Sequence, residues 1–178
     1  MDKKRYAVIE KYAAPFVQLV MEKEQGSQVY DQLEQIRSIM IETHLPAFLS
    51  HIGVDSKEKE KALRHFQDGQ ASLIDNLIEV VILNQREDLF FDLVEASMAA
   101  IEKASNEYVV TLTSVAALSS EQKAKLLPII EKKLGLKVRS LKEELDPSLI
   151  GGFVITANNK TIDLSLKDQL QTLKNNMK

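Results

Sequence analysis

The feature that most constrains this chain is a change of pattern close to residue 105. From residue 4 to 105, apolar side chains recur every three or four positions, whereas short alternating and β-branched segments follow. The first spacing is typical of amphipathic helices and the second of strands. The charge changes at the same place, since 12 basic and 18 acidic residues precede residue 106, and 11 basic and 8 acidic residues follow. We predict an α+β fold in two unequal domains, 1–105 and 107–178, with the boundary near Ala104 to Asn106.

The first region is predicted to be a bundle of six helices. Pro15 lies inside the apolar stripe of the first helix, and we expect it to kink that helix or fray its leading turn, because proline donates no backbone hydrogen bond. Ser27 is predicted to cap the second helix, and Pro46 opens a short third helix. Asp55 and Glu58 have the spacing of a capping box ahead of a fourth helix.

Two denser apolar segments predict the fifth and sixth helices. Between residues 71 and 83, apolar side chains cover more than half of a helix circumference, which is typical of a helix at the centre of a domain. A polar break at 84–88 separates this segment from a sixth amphipathic stripe that ends at Ile101.

The second region is predicted to be a small α/β domain. A strand at 107–113 precedes a helix that Ser119 and Gln122 begin as a capping box, that Pro128 should bend and that Gly135 ends. Strands are then predicted over Lys137 to Glu144, Gly151 to Ala157 and Thr161 to Asp163, with turns at Asp146-Pro147 and Asn158-Asn159 and a last helix opened by Ser165.

Composition and motifs argue against an enzyme and against cofactors. The chain has no cysteine, which excludes disulfides, thiol nucleophiles and thiolate metal sites, and it has no glycine-rich phosphate loop. His44, His51 and Asp55 are the best metal candidates, but Pro46 and Gly53 interrupt the helix that would align them. The adjacent acid pairs Glu87-Asp88 and Glu143-Glu144 are predicted to be solvated charges. We therefore expect no catalytic, cofactor-binding or metal-binding residues.

The net charge of −3 makes a general nucleic-acid binder an unfavourable interpretation. A basic cluster in the second region is either a solvated face or a surface for an acidic protein partner, with RNA the weakest alternative, because aromatic stacking platforms are few; it comprises Lys132, Lys133, Lys137, Arg139 and Lys142. No apolar run approaches the length of a membrane span, and no targeting signal is evident, so we expect a cytoplasmic protein.

Several segments together resemble the delta subunit of F-type ATP synthases, the bacterial relative of the oligomycin-sensitivity-conferring protein. The most specific is the end of the chain, where an acid, a glycine pair, a strand, an Ile-Asp pair and a leucine helix follow one another over 146–173. The segments 12–20 and 77–86 resemble the family's first and fifth helices. Pro15 departs from the helix former usual there, and 84–86 lacks the glycine usual in that turn.

The resemblance implies a non-catalytic stator subunit at the cytoplasmic face of the cell membrane, held there only through its complex. In the family, the helical domain takes the N-terminal helix of an alpha subunit between its first and fifth helices, and the second domain holds the C-terminal region of the b-subunit stalk. For this chain we accordingly expect partner-binding residues at Tyr12, Ala13, Phe16, Leu77, Ile78, Val81, Gly151 and Gly152.

Alternatives stay open at this point. Each apolar anchor can equally be ordinary core, because periodicity does not tell which apolar residue is left uncovered. The glycine pair inside a strand can simply allow close approach of another part of the chain. A helical adaptor of an unrelated complex would also lack catalytic motifs, and an enzyme with a dispersed site is a further alternative.

Overall fold

The computed structural model describes residues 3–67, 69 and 72–166. The chain divides into two compact units, residues 1–105 and 106–178. Within the described residues the first unit is helical, and the second combines one helix with a four-stranded sheet. The fold is therefore of the mixed helix and sheet kind.

The first unit contains six α-helices and one short 3-10 helix in its described part. They are α1 Lys3–Glu22, α2 Gly26–Glu42, α3 Leu45–Ser50, α4 Ser56–Arg64, α5 Leu73–Leu83, the 3-10 helix Glu87–Leu89, and α6 Phe90–Ser105. Pro46 lies at the start of α3, as predicted. The prediction of Ser27 as the N-cap of α2 is wrong: the helix begins at Gly26 with Gln25 as N-cap, which places Ser27 inside its first turn. Asp55 is the N-cap of α4, but its side chain makes no capping hydrogen bond.

The core of the first unit lies around α5 and α6. Ile78 of α5 and Phe90 and Ile101 of α6 are fully buried. Polar contacts fix other helices to α6, since Arg5 Nε of α1 donates to Asp92 Oδ2 at 2.6 Å, and Tyr30 Oη of α2 donates to Glu102 Oε1 at 2.8 Å. The segment predicted to be a central helix forms α5, which is buried along most of its length and leaves Val80 and Leu83 exposed.

Two helices of the first unit end in the same left-handed motif. After α5, the amide of Gln85 donates to the Ile82 carbonyl at 2.9 Å and the amide of Arg86 donates to the Val81 carbonyl at 3.0 Å. This is the Schellman pair of hydrogen bonds, and it requires the left-handed conformation, φ 54°, at Gln85. Glu24, with φ 55°, takes the same position after α1.

The second unit is built on a sheet of strand order β2-β1-β3-β4. Its elements are β1 Glu107–Ser114, α7 Ser120–Leu134, β2 Lys137–Leu145, β3 Phe153–Ala157 and β4 Lys160–Asp163. β1 pairs in parallel with β2 across the α7 crossover and antiparallel with β3, which pairs antiparallel with β4. Ile130 and Leu134 of α7 cover buried β1 side chains and complete the core of this unit.

Local signals predicted the ends of these elements well. Both hydrogen bonds of the Ser119–Gln122 capping box are present, and Gly135 ends α7 with φ 69°. Asn158 and Asn159 both have positive φ, as a tight turn between β3 and β4 requires. α1 and α7 continue through Pro15 and Pro128, respectively. The predicted last helix lies almost wholly outside the described residues.

Candidate partner-binding groove

An open groove of about 400 Å³ lies between α1 and α5 of the first unit. Tyr12, Phe16 and Leu19 form most of the α1 wall, and Leu73, Leu77 and Val80 form most of the α5 wall. The complete lining is Lys11, Tyr12, Pro15, Phe16, Leu19, Leu73, Asn76, Leu77 and Val80. The surface offered is apolar with a few polar groups beside it.

The α1 wall follows from helical spacing. Lys11, Pro15 and Leu19 are four residues apart and therefore share one face, which is turned away from the buried stripe. That buried stripe contains Ile9, Ala13 and Val20, among others. The Leu19 side chain is 40% exposed although it is fully apolar.

The α5 wall arises because this helix is apolar almost all round. Leu73, Leu77 and Val80 follow one another at spacings of four and three, so they form one face along the groove. Val80 is 42% exposed, whereas Ile78 and Val81 are 0% and 1% exposed and pack into the core. Leu73 and Leu77 are themselves only 7% and 5% exposed, so Val80 is the residue of this wall that is most open to contact.

Polar contacts outside the groove hold α5 in place. Ser72 Oγ caps the helix by accepting a hydrogen bond from the amide of Asp75 at 3.1 Å. Glu79 accepts a hydrogen bond from Gln67 Nε2 at 2.7 Å and is paired with Arg64 of α4. Hydrogen bonds from Gln67 and then from Arg64 lower the pKa of Glu79. The charged carboxylate therefore ties α5 to α4 at neutral pH.

The groove brings together three of the predicted anchors. Tyr12, Phe16 and Leu77 line it. Ile78 and Val81 do not line it, and they are 0% and 1% exposed. Ala13 lies in a different cleft of about 320 Å³ between α1 and α6.

Leu19 and Val80 were missed as candidate anchors, as were the polar neighbours Lys11 and Asn76. The sequence contains one indication of such residues: α5 carries more apolar residues than one buried face needs. That excess reveals an uncovered face without telling which residues form it.

The glycine pair of the second unit is in contact with its own chain. It precedes β3 instead of lying inside the strand. A Cβ on Gly152 would collide with the Leu164 carbonyl oxygen and lie 2.8 Å from Ser165 Cα. The amide of Leu166 donates to the Gly151 carbonyl at 2.9 Å. The close approach allowed by these glycines is therefore that of 164–166.

The basic cluster of the second unit is partly neutralised. Arg139 is nearly buried and pairs with Glu107 of β1 at 3.0 Å, while Lys132, Lys133, Lys137 and Lys142 are exposed. Exposed apolar side chains lie at the end of the sheet where β1 and β2 finish, namely Val115, Leu145 and Ile150. Of the exposed cations only Lys142 lies towards this end, because Lys137 is at the start of β2, paired with Glu107, and Lys132 and Lys133 are in the last turn of α7 just before it.

The described part of the chain offers little for metal binding. It contains no cluster of three or more acidic or histidine side chains able to hold a metal ion. His51 Nδ1 accepts a hydrogen bond of 3.0 Å from the Gly53 amide, a local turn contact. No described helix combines the length and the hydrophobicity needed to cross a bilayer.

Comparison with known proteins gives consistent results along the whole chain. The sequence profile of the ATP synthase delta (OSCP) subunit family matches residues 8–177. The chain is 62% identical over 178 residues to ATP synthase subunit delta of Streptococcus sanguinis, and 57% identical to that of Streptococcus gordonii, with 100% of each chain covered.

A solved structure is similar in fold. It is a chain of the Toxoplasma gondii mitochondrial ATP synthase hexamer, with a TM-score of 0.66 at 19% identity, covering 95% of this chain and 96% of that one. At this identity, the likeness concerns the fold.

Proposed function

This chain belongs to the ATP synthase delta (OSCP) subunit family, and we propose that it works there as a non-catalytic stator subunit. In this role it links the alpha subunits of the catalytic head to the b-subunit stalk, so that proton flow is coupled to ATP synthesis. It is a peripheral protein at the cytoplasmic face of the cell membrane, held there through the complex. Rotation of the central shaft exerts torque on the head, and a static link has to resist that torque through binding energy alone.

We assign the head-binding task to the first unit, whose six helices we interpret as one bundle. The observation that carries this assignment is the groove between α1 and α5, because its apolar lining includes Leu19 and Val80, which are left 40% and 42% exposed. Such a groove suits an amphipathic helix that inserts anchors at helical spacing. The N-terminal helix of an alpha subunit is the occupant we propose.

The experiment is a binding titration of the full-length chain with a synthetic peptide of the alpha-subunit N-terminus. Leu19→Glu or Val80→Glu places a charge on an apolar wall, and desolvating it opposes docking. We expect at least about tenfold weaker binding, which corresponds to about 1.4 kcal/mol. Isothermal titration calorimetry measures it, and circular dichroism checks that the helices persist.

Leu83→Glu is the matched control. Leu83 is also on α5 and is 78% exposed, but it does not line the groove. This variant should bind the peptide like the unaltered chain. Equal losses of peptide affinity for Val80→Glu and Leu83→Glu would mean that the peptide binds at another surface. Full affinity in both Leu19→Glu and Val80→Glu would mean the same.

We propose that the second unit holds the C-terminal region of the b-subunit. Support comes from the apolar residues Val115, Leu145 and Ile150 at one end of the sheet, and from the net charge of +3 over 106–178. Complementary charge accelerates and orients such docking. Leu145→Glu should therefore reduce recovery of the b-subunit in pull-downs and leave alpha-peptide binding intact.

A further inference from the structure

The groove contains a backbone feature that its apolar side chains do not explain. Pro15 lies inside α1, where its nitrogen would ordinarily donate to the carbonyl of Lys11 four residues earlier. Proline has no N–H, so this intrahelical hydrogen bond is missing. Lys11 and Pro15 are both exposed, and both line the groove.

We propose that the Lys11 carbonyl is a specificity determinant of the groove, accepting a hydrogen bond from a side chain of the docked helix. This inference rests on the proposed function, because it needs a helix seated between α1 and α5. A carbonyl covered by a docked partner loses its water, and leaving it without a donor is costly. A partner that supplies a donor at this point is therefore favoured over one that is apolar throughout.

The surroundings of the carbonyl define the donor. Lys11 itself lines the groove, and the positive charge of its side chain disfavours a second cation nearby. The remaining wall is mostly apolar, which suits a short neutral side chain better than a long charged one. The proposed donor is thus a Ser or Thr hydroxyl or an Asn or Gln amide, flanked on the partner helix by apolar anchors.

The test is a double-mutant cycle on the full-length chain. Pro15→Ala restores an N–H that bonds the Lys11 carbonyl inside α1 and so removes the acceptor from the groove. The probes are the alpha-subunit N-terminal peptide and copies in which each Ser, Thr, Asn or Gln is replaced singly by Ala. Since a typical hydrogen bond contributes about 0.5–1.5 kcal/mol, Pro15→Ala should weaken binding of the unaltered peptide by about two- to twelvefold.

One alanine-substituted peptide should bind the unaltered protein more weakly, by the same factor that Pro15→Ala costs the unaltered peptide. That peptide and the unaltered peptide should bind the Pro15→Ala protein equally well. Slow hydrogen exchange at the backbone amide that Pro15→Ala introduces would verify that the intrahelical bond has formed. Pro128→Ala removes the in-helix proline of α7 in the second unit and should leave peptide binding unchanged.

Two results would overturn the inference while the proposed function stands. One is unchanged or tighter peptide binding by Pro15→Ala. The other is that Pro15→Ala weakens the binding of every alanine-substituted peptide by the same factor as that of the unaltered peptide. That result would indicate that Pro15 acts by changing the course of the α1 helix axis. If the unaltered chain does not bind the unaltered peptide, the proposed function fails first, and the inference fails with it.

Discussion

The carboxylate of Glu143 on β2 accepts a hydrogen bond of 2.7 Å from the backbone amide of Leu118, just ahead of α7. Its second oxygen accepts from Lys123 Nζ, also at 2.7 Å. The backbone hydrogen bond, followed by that of Lys123, lowers the pKa of Glu143 from its ordinary value of 4.5. A group with a lowered native pKa stabilises the fold fully above its unfolded-state pKa, and this contribution is lost as the pH falls through the native value.

We therefore expect Glu143→Gln to reduce the free energy of unfolding at pH 7, by an amount that shrinks as the pH falls below about 4.5, near the ordinary glutamate pKa. Urea denaturation of the full chain between pH 7 and pH 3 measures this. Glu144→Gln is the control, because Glu144 is the adjacent, exposed carboxylate of the same strand. Identical pH profiles for the two variants would contradict the assignment.

Gly152→Ala should destabilise the second unit itself. Gly152 has φ 78°, and an added Cβ would collide with the Leu164 carbonyl and lie 2.8 Å from Ser165 Cα. Gly135→Ala is a matched comparison, because φ there is 69° and no atom lies within 4 Å of the added Cβ. A non-glycine residue in the left-handed region costs about 1–2 kcal/mol.

In thermal denaturation, Gly135→Ala should lose only the stability that corresponds to the left-handed backbone conformation. Gly152→Ala should lose clearly more stability, because the collision adds to that cost. Equal losses in the two variants would mean that the backbone of 164–166 adjusts freely. Gly152→Asp is consequently expected to disturb the fold of the second unit, so a loss of partner binding in that variant would not identify Gly152 as a contact residue.

Gln85→Gly should stabilise the first unit by about 1 kcal/mol, because the left-handed position after α5 has no steric cost for glycine. Gln35→Gly is the same chemical change at an exposed position inside α2 and should cost about 1 kcal/mol instead. Denaturant titration of both variants measures the change in the free energy of unfolding, which should rise for Gln85→Gly and fall for Gln35→Gly. A loss of stability in Gln85→Gly would show that the glutamine side chain makes a stabilising contact of its own.

Brief proteolysis should cut the chain between about Ile101 and Ser119, since cleavage favours exposed connections that few contacts cross. Within this interval β1 is paired on both sides, so the cut is expected either beside Asn106 or in the exposed loop at 115–117. Mass spectrometry of the fragments identifies the site. Uniform resistance through the interval would argue against two independently behaving regions.

Element ends could be predicted from the sequence wherever one local interaction decides them. Ser119 and Gln122 cap each other three residues apart, and Asn158-Asn159 tolerates the positive φ of its turn. The start of α2 was predicted less well, because Ser27 fits a cap statistically while the helix had already begun at Gly26. Helix ends shift by one or two residues at little cost.

The sequence predicts which two helices border the groove, but not which of their apolar side chains line it. Whether Ile78 or Val80 is covered depends on which neighbours pack against α5, and both are equally apolar in the sequence. The glycine pair was assigned to a strand interior for a similar reason. The hydrogen bond from the Leu166 amide to the Gly151 carbonyl joins residues fifteen apart, beyond the range of local patterns.

The central position of β1 has a consequence for how this protein is made. Both of its neighbours come later in the chain: Thr111 pairs with Lys142 on one side and with Thr156 on the other. While β1 and β2 are already outside the ribosome and β3 is not, one edge of β1 has no partner, and open edges recruit other chains. At about 5–20 residues per second, the twelve residues from Leu145 to Ala157 take about 0.6 to 2.4 seconds to synthesise. The helices of 3–105 precede the sheet out of the tunnel, so cross-linking of chains stalled on an added C-terminal segment, with β2 outside the tunnel and β3 still inside, should find chaperones on the nascent sheet and few on the helices.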